Sequence, residues 1–423
     1  MQHAWCHRFV MAWFGIIVVS GAAAHAEETA LERVERELAE TRAAVRALEA
    51  KQPTSQGTGP RFNPDMSLDG LFAAGASTAP DLETLQTGAH DPNQRGFTAQ
   101  NLELTLSGNV DPYFAAIGHL IFGIDREGES FLEVEEAYIT STALPANLQL
   151  RAGQFFTQFG RLNPQHPHAW AFVDQPLING RLFGGDGMRG LGMQVAYLLP
   201  LPVYAEALIA LQNSQGETMF SFRNAPDEIL FGRTLIERRV EGIGDLAITP
   251  RLAASFNPSD AQTVLVGVSG AFGPNSSGES ARTQIYGIDL YYKWKPVQTV
   301  KGWPFVAWQT ELMRREYENA ADGTFPEEQL RDRGGYTQVT WGFTPRWVAG
   351  LRGEYVVGEN GDVTDPLRER RVRVSPNLTF YPSEYSKWRV QYNRDDVQSR
   401  EDIAHSAFLQ WEFLIGAHGA HAF

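Results

Sequence analysis

The sequence predicts an all-β fold, a 16-stranded antiparallel transmembrane β-barrel carrying a short N-terminal coiled-coil helix. Three observations predict it. From about residue 61 the apolar residues recur at every second position, the period of a strand with one oily face. The connectors alternate between tight turns and long polar loops, as they do when turns lie on one side of a membrane and loops on the other. Aromatic residues collect beside the turns, where an interfacial girdle needs them.

Residues 1–26 read as a signal peptide. His7 and Arg8 precede the apolar run Phe9 to Val19, and Ala24-His25-Ala26 is an A-x-A cleavage site ahead of Glu27. The run is too short for a permanent membrane helix. Cleavage would remove Cys6, the only cysteine, so disulfide, thiolate-metal and cysteine-nucleophile chemistry are not expected. The 36 Lys and Arg stand against 50 Asp and Glu, net −14, and cleavage would take Arg8 as well. That balance argues against a nucleic-acid partner, which needs a basic face.

Residues 27–51 are expected to form a periplasmic coiled coil, because Leu31, Val34, Leu38, Thr41, Val45 and Leu48 fall at alternating steps of three and four. So short a seam is marginal alone, and a single amphipathic helix lying against its own barrel fits the same pattern. Residues 52–60, rich in Pro, Ser, Gly and Thr, read as a linker, and 61–423 as the barrel. A mean hydropathy of −0.29 would suit a soluble protein. In a membrane barrel it follows from alternation of lipid-facing and lumen-facing residues.

The strands show that alternation directly. Leu102, Leu104 and Leu106 interleave with Asn101, Glu103 and Thr105; Val264, Val266 and Val268 with Thr263, Leu265 and Gly267; Trp388, Val390 and Tyr392 with Arg389, Gln391 and Asn393. Tight turns are expected near 109–112, 145–147, 200–202, 257–260, 295–302, 344–346 and 381–386. Long loops are expected near 76–95, 124–130, 161–189, 213–244, 273–281, 317–334, 358–367 and 394–403. Eight loops and seven turns make the sixteen strands, with both barrel ends on the turn side. Tyr113, Phe256, Trp294, Trp303, Phe343, Trp347, Tyr381 and Trp388 are the expected girdle.

The alternating segment Ala407 to Phe413 and the final Phe423 look like the closing strand and C-terminal phenylalanine that the barrel-assembly machinery reads in outer-membrane proteins. Gly416 to Ala422 departs from that pattern. The stretch LEVEEAYITSTALPANLQLRAGQFFTQFG, ending at Gly160 and followed by Asn163 and Asp174-Gln175-Pro176, resembles the phosphate-selective porin O and P superfamily. That resemblance implies a homotrimer in outer-membrane lipid, a periplasmic helical segment, and a loop after the strand–turn–strand unit that folds into the lumen. Some related chains are called zinc-regulated TonB-dependent receptors. Such receptors need a globular plug before a 22-stranded barrel, which Glu27 to Pro60 is too short to form.

Alternation assigns Asp69, Glu103, Glu206, Asp289 and Glu354 to the lumen together with Arg151, Arg251, Arg352, Arg371, Arg373 and Arg389. Arginines from three neighbouring strands should form a basic wall with acids of the early strands opposite it, a lining suited to small polar solutes or ions. A register slip of one residue would turn any of them outward. Carboxylates are too many to carry over phosphate specificity. The loop 161–189 is the expected constriction, with His166, His168, Trp170, Phe172, Asp174 and Asp186. His166 and His168 with Asp174 or Asp186, or His418 with His421, are the metal candidates.

No cofactor is expected. Gly184-Gly185-Asp186-Gly187 lacks the Lys-Ser/Thr and the strand-to-helix context of a phosphate cradle. No nucleophile-elbow or Ser-His-acid pattern points to an enzyme. Two classes are left: a porin for small polar solutes, and a specific uptake channel or receptor for a metal ion or other small solute.

Overall fold

A computed structural model describes residues 64–222, 228–300, 302–323, 325–359 and 369–416; the signal peptide, coiled coil, linker, His418, His421 and Phe423 lie outside the described residues. The described chain closes into a barrel of sixteen strands. In order they are β1 Asp65–Ser77, β2 Gly96–Asn109, β3 Phe114–Ile124, β4 Ser130–Ser141, β5 Leu148–Phe156, β6 Arg189–Leu198, β7 Tyr204–Asn213 and β8 Leu246–Ser259. There follow β9 Gln262–Pro274, β10 Arg282–Trp294, β11 Phe305–Asn319, β12 Glu328–Thr344, β13 Trp347–Glu359, β14 Arg371–Ser383, β15 Ser386–Val397 and β16 Ala404–Gly416. Each pairs antiparallel with its sequence neighbours. β1 closes the ring on β16, from Ser67 opposite Gly416 to Ser77 opposite Ser406.

The alternating connectors explain the count. Turns of 2 residues, at 260–261, 345–346 and 384–385, sit on one rim, and the long links 157–188 and 214–245 leave from the other. Closure leaves no strand edge unpaired, which a sheet in lipid requires. No described helix is long and apolar enough to cross a membrane, which says nothing of crossing by strands.

Burial is inverted relative to a water-soluble domain. On β6, Leu191, Met193, Val195 and Tyr197 are exposed while Gln194 and Ala196 are buried. On β14, Arg371, Arg373, Ser375 and Thr379 are buried while Val374 and Leu378 are exposed. An apolar belt of this extent is stable against lipid, not water. The described chain is therefore a transmembrane β-barrel.

Tyr113, Phe256, Phe343, Trp347 and Trp388 are exposed beside the turns, as a girdle requires. Trp303 and Tyr381 depart from that expectation. Trp303 is buried with Phe305 and Val348, and Tyr381 packs on them, so both join an apolar cluster in place of the lipid interface.

The interior is filled by inward segments. The link 157–188 carries a short helix, α1 Leu177–Phe183, which starts after Pro176 and stops at Gly184, whose φ of 84° suits glycine. Leu177, Ile178, Leu182 and Phe183 pack against Ala271, Ile285, Met313, Tyr336 and Val356 of the wall. The link 78–95 also turns inward, placing Leu82 and Leu85 against Val173 and Phe408.

Candidate functional site

Two charged clusters hold the inward segments to the barrel wall. The first centres on Asp174. Arg352 Nη2 donates to its Oδ1 at 2.5 Å and Arg373 Nη1 to its Oδ2 at 2.9 Å. Gln391 Nε2 and Asn393 Nδ2 add bonds of 2.8 and 2.7 Å. Arg352 Nε also donates to Glu354 Oε1 at 2.8 Å, and its guanidinium covers the Phe172 ring. Arg371 and Arg373 share Asp395 at 2.8–3.0 Å, and both donate to the Leu85 carbonyl. Glu354 Oε2 accepts the Leu177 amide at 2.7 Å, at the start of α1.

Three guanidiniums and three carboxylates (Asp174, Glu354, Asp395) thus meet with almost no water access. Burial alone would raise the Asp174 carboxyl, but Arg352 and Arg373 outweigh it and hold the group below its ordinary value. Asp91, in the link 78–95, accepts the Gly88 and Gln175 amides at 2.8 Å. Its burial, and then the like charge of Asp174, push it up to about 7.

The second cluster surrounds His166. Its Nδ1 lies 2.7 Å from Glu135 Oε2 and 3.0 Å from Glu103 Oε2, and its Nε2 lies 2.9 Å from Glu136 Oε2. His119 Nδ1 meets Glu103 Oε1 at 2.7 Å, and His168 Nδ1 stands 3.4 Å from Glu103 Oε2. Burial pushes the His166 imidazole down, yet Glu135 and Glu103 hold it well above its ordinary value. Trp170 Nε1 donates to the Gln165 carbonyl at 3.0 Å, within the segment.

The other sequence candidates lie apart from these clusters. Arg251 and Asp289 form their own buried pair at 2.6 Å with Ser269. Arg151 is half-buried over the Tyr138 ring, and Glu206 is half-buried on the face of β7 that carries Leu208 and Ala210. Arg389 donates to Thr379 and Gln410 at 2.9 Å. Asp69 is buried on β1 directly opposite Glu103, with neither carboxylate oxygen hydrogen-bonded.

The metal candidates also separate. His166 is surrounded by Glu103, Glu135, Glu136 and His119, whereas Asp174 is held by arginines and Asp186 lies 3.9 Å from His90. Alternation alone misses Glu135. It would send one of the adjacent Glu135 and Glu136 into lipid. A register shift at His119/Leu120 leaves Glu135 as an extra residue of β4, so both turn inward. Leu85 and Asp91 were missed because a loop without periodicity gives no sign of folding inward.

A cavity of about 300 Å³ lies on the turn side of the segment 161–171. Arg161, Lys293, Lys387 and Arg389 line it with Tyr291, Tyr381 and amide and hydroxyl groups, and no carboxylate is among its lining residues.

No protein-family model matches the chain. An uncharacterized protein of Aquifex aeolicus (strain VF5) is 30% identical over 408 residues, covering 86% of this chain and 80% of that one. Among solved structures, the outer membrane channel DcaP of Acinetobacter baumannii is similar with a TM-score of 0.55 and 14% identity, over 84% of this chain and 96% of that one. The anion-selective porin from Comamonas acidovorans gives 0.52 and 7%, over 84% and 99%. The trimer form of OmpT of Vibrio cholerae gives 0.50 and 10%, over 84% and 99%. At such identities the likeness concerns the fold.

Proposed function

Since this chain belongs to one family with the uncharacterized Aquifex aeolicus protein, we propose that both are outer-membrane porins passing small polar solutes through a lumen narrowed by the segment 157–188. The observation that carries this reading is the bonding of that segment to wall residues from β9 to β15. Gly160 N donates to Ser269 Oγ, Leu162 N to Glu311, Leu177 N to Glu354 and Val173 N to Gln391. Under this reading a segment tethered around so much of the circumference narrows the lumen to a polar passage beside it, and polar linings select by charge and width. The O and P porin layout, three barrels with periplasmic helices, is the assembly this reading adopts. Deleting Ala30 to Ala50 should then weaken the trimer and spare barrel insertion.

Planar-bilayer recording tests the reading. Inserted protein should carry an ohmic current whose reversal potential in a salt gradient reports the charge preference. Absence of current from a heat-modifiable, inserted barrel refutes it. One observation favours a second reading, a specific uptake channel: the turn-side cavity lined by Arg161, Lys293, Arg389 and Lys387, the last paired with Glu412 behind the lining. Under that reading a small anionic solute blocks the current saturably, and Arg389→Gln relieves the block.

A further inference from the structure

The cluster around His166 gathers buried carboxylates and imidazoles from three strands and the inward segment. Glu103, Glu135 and Glu136 are all at most 5% exposed, and Asp69, at 2%, stands opposite Glu103 with no hydrogen bond to either oxygen. Two imidazoles, His119 and His166, stand among the three glutamates. Buried carboxylates are costly unless cations pair with them, and so dense a set of acids beside imidazole nitrogens favours a bound cation.

The geometry points to a divalent transition-metal site formed by Glu103, His119 and His166, with Glu135 as the adjacent fourth donor. One ligand atom from each of the first three lies within 4.8 Å of the others. Glu103 faces the Nδ1 atoms of both rings, at 2.7 Å from His119 and 3.0 Å from His166, and Glu135 Oε2 lies 2.7 Å from His166 Nδ1. Metal bonds of about 2 Å place tetrahedral donors roughly 3.3 Å apart, so small side-chain shifts suffice. Two imidazoles and two carboxylates suit zinc better than calcium or magnesium, which take all-oxygen sets. Glu136, 2.9 Å from His166 Nε2 and 3.8 Å from His119 Nε2, would orient both rings from behind, as outer carboxylates do for metal-bound histidines.

The ligands come from β2, β3, β4 and the inward segment, so the ion would staple the segment to the early strands, apart from the β13–β15 wall that holds Asp174. Binding displaces the proton from His166: the imidazole nitrogen gives H⁺ to solvent and its lone pair to the metal. The site does not depend on the reading of what the barrel passes.

The test uses full-length protein without a histidine tag, in detergent, stripped by chelator and dialysed. Zinc should bind at one ion per chain, with proton release seen as buffer-dependent heat. His119→Gln and Glu103→Gln should each weaken binding roughly 100-fold, and Glu136→Gln roughly tenfold, with heat-modifiability retained. Replacing His418 and His421 by Gln should change nothing. Cobalt(II) added to the unmutated protein should give the strong visible bands of a low-coordinate nitrogen–oxygen site. Zinc that is not retained, that follows His418 and His421, or a weak six-coordinate aqua-like cobalt spectrum would each overturn the proposal.

Discussion

Replacing Asp174 by Asn removes one charge and no volume from the point where the inward segment meets the far wall. The carboxylate accepts from two arginines and two amides at 2.5–2.9 Å. Without it, Arg352, Arg371 and Arg373 face only Glu354 and Asp395. Breaking one partner out of a buried ion pair costs about 3–5 kcal/mol, roughly a two-hundred- to five-thousandfold shift in the ratio of docked to released segment. The sheet is untouched, so insertion and heat-modifiability should persist. In planar bilayers the variant should show larger, noisier current and a reversal potential displaced toward anions. The pH dependence follows from the same bonds. Because the folded-state pKa is depressed, the stabilisation is fully present above the ordinary carboxylate value of about 3.9 and is lost only as pH falls through the lower, folded value. The Asp174 bonds should therefore persist in unmutated protein from neutral pH to about 4, whereas the Asn variant has lost them already at pH 7. Equal conductance and reversal potential in the two proteins would refute the tether.

Three further outcomes are expected. Arg371→Ser with Arg373→Ser removes two positive charges and both donors to the Leu85 carbonyl, so cation preference and conductance should rise with insertion intact; an unchanged reversal potential in bilayers would place these side chains outside the permeation path. Gly180→Ala puts a methyl 2.4 Å from Thr87 Cβ, separating α1 from the link 78–95, and limited proteolysis of both links should speed up several-fold. Arg251→Ala strands the buried Asp289, so its effect should appear as about 3 kcal/mol of lost barrel stability in urea unfolding and not in ion preference.

The barrel was legible because its physics repeats. Each strand needs an oily residue at every second position, and each rim needs its own connector length, so errors at one strand are corrected by the next. The same period separates buried Arg371 and Arg373 from exposed Val374. The site was legible only where it obeys that period. Glu135 lies inward through a bulge, an exception to alternation that no single strand announces. His119 was passed over because one histidine in a strand carries no spacing signal, and its meaning comes from Glu103 on one side and His166 on the other. Asp395 stands in the charge-rich Asn393-Arg394-Asp395-Asp396 step, which reads as the start of a loop until pairing extends β15 to Val397. Trp303 shows the reverse failure, an aromatic at the right height facing the wrong way.

The partners of Asp174 on β15, Gln391 and Asn393, lie 217 and 219 residues further along the chain. This distance sets an order of assembly. While only the first twelve strands are paired, the segment 157–188 borders an unfinished sheet, and the acid at its tip has neither Arg352 nor Arg373 to meet. Bringing such remote parts together is slow, since the chain entropy of a long loop must be overcome first. Ring closure and neutralisation of Asp174 then become a single late event, so an incomplete barrel keeps a charged, protease-accessible flap and a finished one withdraws it. A chain truncated before β13 should accordingly be cut within 157–188 under conditions that leave the full-length barrel whole.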